Sequence, residues 1–515
     1  MLVDEIIAGN ARRRPDAIGW RCGERALSWR QIDERINRIA HALLGLGLTP
    51  GDRVALLSEN SLHVAELYFA IPRAGLIVVP INPLSVHREI EFILRDVGAR
   101  ALLVSGRFVE KLQPVAELSA IAERVLGIEA DARISDTLED RLAAAEAMPP
   151  GVRVTQDTVR AIKYTSGTTG TPKGCISTQH QFLINIINYL VQMPFTQDDR
   201  CLLCLPMTAG VGIAMLTAYS YLGLETEILR RFNAAQVLDA IERRRVTRFF
   251  AVPTLLAALA DEQSARPRDL SSLRLVGYGG QAAATSLVLR VMDVLGCGLY
   301  QVFGASEAGG FISYLTPEDH ERLRKGHHSR IDSMGRRIVP CGREVQAFHL
   351  RIVDASRNAV PNGEVGELAV FSDSNMSGYW NRPEQSREVL ADGWLYTGDL
   401  ALRDDDGLIY IVDRKRDMIV SGGLNVYSAE VEATLAEHPD IAEIAVIGVP
   451  DPYWGERVQA YVVPREGTAP TEDALLAFAA ERLAAYKRPK RFIFLPALPK
   501  TSSGKLRKVE LREMR

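Results

Sequence analysis

The sequence predicts an α/β protein: a large N-terminal domain of two doubly wound α/β subdomains plus a small β unit, followed by a small α+β C-terminal domain. Three observations predict it. Short apolar runs alternate with amphipathic helical stretches from residue 28 to residue 303, which signals βαβ units and parallel sheets covered on both faces. A polar, glycine-rich stretch at 164–174 interrupts that alternation once. From residue 335 the texture changes to short alternating strands, and the final hundred residues read as a smaller separate unit.

Ser28-Trp29-Arg30-Gln31 is a capping box, and Trp29, Ile32, Ile36, Ile39 and Leu43 follow at helical spacing until Gly45 and Gly47 end the helix. A strand at 54–58, a helix at 62–74, a short buried strand at 76–80, a helix at 86–96 and a strand at 101–104 complete the first unit. Residues 159–163 read as a strand, leading through the polar stretch into an apolar helix at 182–190. The alternation then resumes, with strands at 201–205, 226–228, 248–252, 273–277 and 299–303 and helices between them. Glycine-rich loops at such strand ends are where open α/β sheets bind ligands. Strands at 351–354, 366–371 and 408–413, with a turn at Pro361-Asn362-Gly363, predict a small antiparallel unit. Arg414-Lys415-Arg416-Asp417 has few core residues and suits a linker, dividing 1–415 from 416–515. Beyond it a helix from Ser428, strands at 444–449 and 458–463, and a helix from Asp473 make the α+β domain.

Composition excludes several classes. Of 515 residues 47% are apolar and 24% charged, ordinary for a soluble globular enzyme, and the net charge of −3 provides no field for nucleic acid or an anionic membrane. The N-terminus lacks a basic n-region and apolar h-region, and no apolar run approaches the length of about 18 residues that spans a membrane, so neither a signal peptide nor an integral membrane segment is expected. The six cysteines are scattered. Cys201 and Cys204, the one close pair, would face opposite ways on a strand, and no second pair or spaced histidines complete a zinc site. They read as reduced core cysteines of a cytoplasmic protein.

The stretch Tyr164-Thr165-Ser166-Gly167-Thr168-Thr169-Gly170-Thr171-Pro172-Lys173-Gly174 carries the chemistry. Its glycines let successive N–H groups point at anionic oxygens, its hydroxyls add donors, and Lys173 adds a positive charge. That is a phosphate grip. It is not the Walker A pattern, because Thr171 and Pro172 separate Gly170 from Lys173.

With four later motifs in order, the stretch resembles the phosphate loop of the adenylate-forming superfamily: acyl- and aryl-CoA synthetases, peptide-synthetase adenylation domains and luciferases. The resemblance implies a mobile C-terminal domain and gives ATP contacts to Thr165, Ser166, Gly167, Thr168, Thr169, Gly170, Lys173, Gly280 and Gln281. In Tyr300-Gln301-Val302-Phe303-Gly304-Ala305-Ser306-Glu307, similar to the family's aromatic-Gly-x-Thr-Glu motif with serine for threonine, it implies that Phe303 meets the adenine, Gly304 the nucleotide, Ser306 the α-phosphate and Glu307 a Mg2+ ion. In Tyr396-Thr397-Gly398-Asp399 it implies that Asp399 accepts from the ribose hydroxyls. In the run from Asp413 to Tyr427, Arg414 would contact the nucleotide, Arg416 would occupy the hinge, and Gly422 and Gly423 would let a thiol arm pass. In Pro499-Lys500-Thr501-Ser502-Ser503-Gly504-Lys505, Lys505 resembles the lysine that offsets charge as a carboxylate attacks an already anionic α-phosphate. Trp454, Tyr486, Arg488 and Lys490 resemble positions that hold the CoA nucleotide in some aryl-CoA ligases.

One departure matters. After Pro206 the family often places an aromatic residue and a histidine against the acid; here Met207-Thr208-Ala209-Gly210 follows. Small residues also cluster at Gly279 and at Gly309, and none of these stretches offers a cation. A roomy, largely apolar pocket for a monocarboxylic acid is expected. The combined expectation is an ATP-dependent acid–CoA ligase using Mg2+, with Lys505, Glu307, Thr165 and Arg414 at the chemistry and a homodimer left open. Loading of a carrier-protein phosphopantetheine is the alternative, and a non-catalytic nucleotide-binding module is a third.

Overall fold

The structure, a computed structural model, describes residues 2–112, 124–129, 134, 136–165, 172–327, 330–331, 337–421, 424–500 and 506–514. Two sheets dominate the N-terminal part, as the alternating pattern predicts. The first runs Arg124–Gly127, Ala101–Val104, Arg53–Leu57, Ile77–Ile81, Val159–Thr165 and Lys173–Thr178, parallel except for its last strand. The second has a parallel centre, Glu225–Ile228, Arg200–Leu203, Arg248–Ala251, Leu275–Gly279 and Gly298–Ala305, followed by antiparallel Gly310–Leu315 and Arg343–Glu344.

Two features depart from the sequence expectation. The phosphate stretch does not lead straight into a helix: Lys173–Thr178 returns as an antiparallel strand before helix Gln179–Gln192, which Thr178 and Gln181 cap reciprocally. The N-terminal hairpin Ile18–Cys22 and Arg25–Ser28, absent from the expected elements, joins the far edge of the second sheet by pairing parallel with Glu225–Ile228.

Helix Gln179–Gln192 fastens the sheets together. Its Tyr189 ring packs 5.3 Å from Phe311 and 6.2 Å from Tyr300, and the Tyr189 and Tyr300 hydroxyls bond to each other. The largest hydrophobic core accordingly draws residues from both sheets, including Trp20, Leu56, Phe182 and Tyr300. Cys201 belongs to this core and Cys204 to the one on the opposite face, as alternation requires. Four of the six thiols are buried; Cys22 and Cys297 are only half-buried, at the margins of these cores.

A five-stranded antiparallel sheet follows, built from His349–Val353, Gly366–Phe371, Leu390–Ala391, Trp394–Arg403 and Ile409–Arg414. The C-terminal part has its own sheet, with Ile419–Ser421, Leu424–Val426, Ile441–Asp451 and Gly455–Pro464 antiparallel and Arg491–Phe494 parallel to Gly455–Pro464. Its cores hold residues from Ile419 onward. Among the described residues no helix is long and apolar enough to cross a membrane.

A buried polar chain backs the strand that ends at Ala305. The Tyr278 hydroxyl lies 3.1 Å from Gln301 Oε1 and 2.9 Å from His320 Nε2, while His320 Nδ1 donates to the Thr316 carbonyl at 2.7 Å. Burial pushes the His320 pKa down from 6.5 to about 4. The unfolded chain therefore binds a proton that the folded chain refuses, and stability present above pH 6.5 declines as pH falls towards 4. The loss reaches about 3 kcal/mol. Urea unfolding between those pH values should show this slope, and His320→Gln should remove that share of it; an unchanged slope in the variant would refute the assignment.

Candidate active site

The two ends of the phosphate stretch lie on paired antiparallel strands, Val159–Thr165 and Lys173–Thr178. Thr165 stands opposite Lys173 at the mouth of the paired strands, and the Thr165 hydroxyl donates to the Lys173 carbonyl at 3.5 Å. Both residues therefore sit at one end of the first sheet. Ser166, Gly167, Thr168, Thr169 and Gly170, between them, lie outside the described residues. A second hairpin, Gly298–Ala305 with Gly310–Leu315, presents Phe303, Gly304, Ser306 and Glu307 at its turn. Gly309 in that turn has φ +78°, and a Cβ there would strike the Ser374 carbonyl, so only glycine fits.

Residues 374–380 join the two hairpins. Ile176 N–H donates to the Gly378 carbonyl at 3.0 Å and Trp380 N–H to the Gly174 carbonyl at 2.8 Å. On the other side, Met376 N–H donates to the Glu307 carbonyl at 2.8 Å and the Ser374 hydroxyl to the Ala308 carbonyl at 2.6 Å. Tyr379 then donates its hydroxyl to Glu307 Oε1 at 3.0 Å, and its ring centre lies 5.1 Å from Lys173 Nζ. A carboxylate from one sheet and an ammonium from the other thus meet one aromatic side chain. Burial and then the Glu307 charge push the Tyr379 pKa above its ordinary value, so the phenol remains a donor. Sequence reasoning missed Tyr379, which stands in Gly378-Tyr379-Trp380 beyond the motifs it used.

Asp399 is buried and faces Arg414 across adjacent strands, with Arg414 Nε 2.9 Å from Asp399 Oδ1. Glu367 steadies this corner by accepting from Gly398 N–H at 3.0 Å and Lys415 Nζ at 2.7 Å. Thr208, Ala209 and Gly210 lie where strand Arg200–Leu203 passes into helix Gly210–Tyr221. Buried Asn60 pins that passage, accepting from Met207 N–H at 2.8 Å and donating to the Leu205 and Leu229 carbonyls at 2.9 and 3.0 Å. Gly279 ends its strand buried, and Gly280 and Gln281 follow it exposed. The passage has no cation of its own, but Lys163 Nζ reaches it from strand Val159–Thr165, 3.5 Å from where a Gly210 Cβ would lie. The sequence pattern did not show that approach.

A family model described as AMP-binding enzyme matches residues 7–380, and one described as AMP-binding enzyme C-terminal domain matches 430–505. The chain belongs to the AMP-binding enzyme family. It is 38% identical over 505 residues to a feruloyl-CoA synthase of Amycolatopsis sp, covering 98% of this chain and 96% of the relative. It is 32% identical over 514 residues to a fatty acid–[acyl-carrier-protein] ligase of Streptomyces coeruleorubidus, covering 98% and 94%. Among solved structures it resembles o-succinylbenzoate CoA synthetase from Bacillus subtilis in complex with its acyl-adenylate intermediate, with a TM-score of 0.86, 28% identity and coverage of 99% and 98%.

In this AMP-binding enzyme the linker is clasped from the C-terminal side. Arg512 donates to the Arg416 carbonyl at 3.3 Å and pairs with Asp417 at 2.8 Å. Burial pushes the Arg416 pKa below its ordinary value, with Asp417 opposing the shift. Lys490 Nζ lies 5.5 Å from the Trp454 ring centre, so these two candidates come together at an exposed turn. Arg488 instead donates to the Leu483 and Ala480 carbonyls at 2.7 and 2.9 Å, spending its guanidinium on the end of helix Glu472–Arg482. Tyr486 packs half-buried against the C-terminal core. Gly422, Gly423 and Lys505 lie outside the described residues.

Tyr379→Phe removes a hydrogen bond to a carboxylate while keeping the ring. It should lower stability by about 1–2 kcal/mol, read as an earlier urea midpoint by tryptophan fluorescence. An unmoved midpoint would show that the bond contributes nothing.

Proposed function

We propose that this AMP-binding enzyme is an ATP-dependent carboxylic acid–CoA ligase that works through an acyl-adenylate, with 1–415 as the adenylating domain and 416–515 as a mobile domain. The observation that carries the reading is the meeting of Lys173 and Glu307 on Tyr379, which sets a cation and a carboxylate beside the hairpin turn that would grip the phosphates. Whole-length similarity to a feruloyl-CoA synthase supports acid–CoA chemistry.

In the first half-reaction a carboxylate oxygen of the acid attacks the α-phosphorus of ATP and pyrophosphate leaves. The phosphate loop and Ser306 hold the phosphates, Phe303 meets the adenine, Asp399 and Arg414 hold the ribose end, and Lys505 offsets the charge that builds at the reacting oxygens. No cluster of three or more metal-ligating side chains occurs among the described residues. Glu307 fits a Mg2+ ion of the kind held by one protein carboxylate together with substrate phosphates, whose charge it neutralises when bound. In the second half-reaction the C-terminal domain turns about Arg416, Lys505 withdraws, and Gly422 and Gly423 line the path of the thiol. The CoA sulfur attacks the acyl carbon, the bond to the phosphate oxygen breaks, and AMP leaves. Trp454 and Lys490, an aromatic face with an ammonium beside it, suit the 3′-phospho-ADP end of free CoA.

Similarity to a fatty acid–[acyl-carrier-protein] ligase favours one other reading, in which a carrier's phosphopantetheine accepts the acyl group. Pyrophosphate release with fatty, benzoic, cinnamic and ferulic acids, each with and without CoA, separates the two. CoA-dependent AMP formation with one acid class is expected; adenylate without thioester would transfer the assignment to a carrier protein. Lys505→Ala should lower adenylation roughly a hundredfold or more and affect thioester formation from pre-made adenylate much less. Full-rate adenylation by that variant would sink the mechanism. A cytoplasmic location is part of this reading.

A further inference from the structure

Lys163 stands apart from the roles above. Strand alternation puts Ala161, Lys163 and Thr165 on one face of Val159–Thr165, with Lys163 opposite Cys175 on the return strand. At about 3.3 Å per residue, its backbone lies roughly 6.6 Å below Thr165, away from the phosphate loop. From there the side chain runs to Gly210, in the passage assigned to the acid pocket. The residue keeps accessible surface even though protein surrounds it closely enough to depress its pKa, so it lines a recess instead of filling a core.

Among the described residues none neutralises it. No hydrogen bond or ion pair links Nζ to another described residue. Cys175 is held as a neutral thiol, because burial pushes its pKa well above the ordinary value. Arg160 on the same strand is buried with its guanidinium 3.9 Å from the Phe182 ring centre and disfavours a second cation. Glu307 attracts the ammonium but is bonded to Tyr379. An apolar residue would occupy this place at lower energy, since a charge taken out of water without a partner is costly. A ligand that supplies the partner resolves the conflict.

We propose that Lys163 lines the acid pocket and binds a second oxygen function on the acid's tail, so that the preferred substrate carries a carboxylate, phenolic or carbonyl oxygen remote from the reacting carboxylate. The inference rests on the ligase reading and refines the largely apolar pocket expected from 206–212, 279–282 and 308–310 alone. The reacting carboxylate must lie level with the phosphates near Thr165. Lys163 lies deeper, beside the pocket wall, where the tail passes. Beside the small, uncharged residues at 208–210 the tail then meets the Lys163 ammonium, which selects acids by the position of one oxygen.

The test compares matched acids in the full chain: cinnamic against 4-hydroxycinnamic and 4-carboxycinnamic acid, and dodecanoic against dodecanedioic acid. kcat/KM for pyrophosphate release is measured in the wild type, Lys163→Met and Lys163→Arg. The wild type should favour an oxygen-bearing member over its parent. Lys163→Met should lower kcat/KM for that member about 10- to 100-fold, leave its parent unchanged or improved, and leave the KM for ATP unchanged. Lys163→Arg should retain part of the preference. Thermal unfolding of Lys163→Met should match or exceed the wild type. Equal loss for both members of a pair would assign Lys163 to the reacting carboxylate or to folding and overturn the proposal, as would no change for either. A wild type silent with every acid would overturn the ligase reading itself, and the proposal with it.

Discussion

Catalysis across two sheets needs a fixed distance between them, and in this protein residues 374–380 set it. Their backbone donates to and accepts from the return strand at Gly174 and Ile176, and their other side is bonded to Glu307 and Ala308. The phosphate hairpin and the Glu307 hairpin are therefore rungs of one continuous hydrogen-bonded strip. A phosphate grip and a carboxylate on separately floating sheets would have to be organised by the substrate, at the expense of binding energy. In the proposed site the polypeptide does that in advance. Tyr379 adds a side-chain link at the same place, and helix Gln179–Gln192 supplies the apolar part through Tyr189, Tyr300 and Phe311.

Most of the architecture was legible because parallel βαβ units write themselves locally: each apolar strand is followed by a helix with one greasy face. Motif order then carried the family. What escaped did so for identifiable reasons. The hairpin Ile18–Cys22 and Arg25–Ser28 is stabilised by a partner, Glu225–Ile228, two hundred residues away, and its own pattern of mixed arginines and small residues is weak. The return strand Lys173–Thr178 is short and polar at its start, so its role as the second half of a hairpin depends on pairing with Val159–Thr165. Tyr379 has no local pattern linking it to Glu307, because they meet only across the sheet junction.

Lys163 is the clearest case of that limit. In the sequence it is the polar end of a strand, a position where a lysine usually reaches water. The topology instead turns that face of the strand towards the second sheet, and the chain's small residues at 208–210 leave space for the side chain to arrive. The absence of a large side chain in one segment and the presence of a cation in another are therefore one feature of the pocket, although 46 positions separate Lys163 from Ala209. Reading the passage after Pro206 alone gives an apolar wall; reading it with its neighbour gives a polar point on that wall.

The proposed turn of the C-terminal domain raises a related question of which contacts it would exchange. Asp413 belongs to the last strand before the linker, yet its carboxylate accepts from the Ser428 hydroxyl at 2.9 Å and from Ala429 N–H at 3.3 Å, at the start of helix Ser428–Leu435. Lys508 reinforces the contact from the far end of the chain, donating to Ser428 at 2.7 Å and pairing with Glu432 at 2.7 Å. A carboxylate at a helix N-terminus is favoured by the orientation of the free N–H groups, and hydrogen bonds to a charged acceptor contribute about 1.5–3 kcal/mol each. Rotation about Arg416 that carried this helix away would leave the Asp413 carboxylate only the Arg414 N–H, at 2.7 Å, of these donors. A turn centred on 416 is thus compatible with the structure only if the start of the helix stays close to Asp413, or if another donor replaces it. Under the proposed rotation about Arg416 the start of that helix would then move least, and the parts furthest from Asp413 would sweep the largest arc.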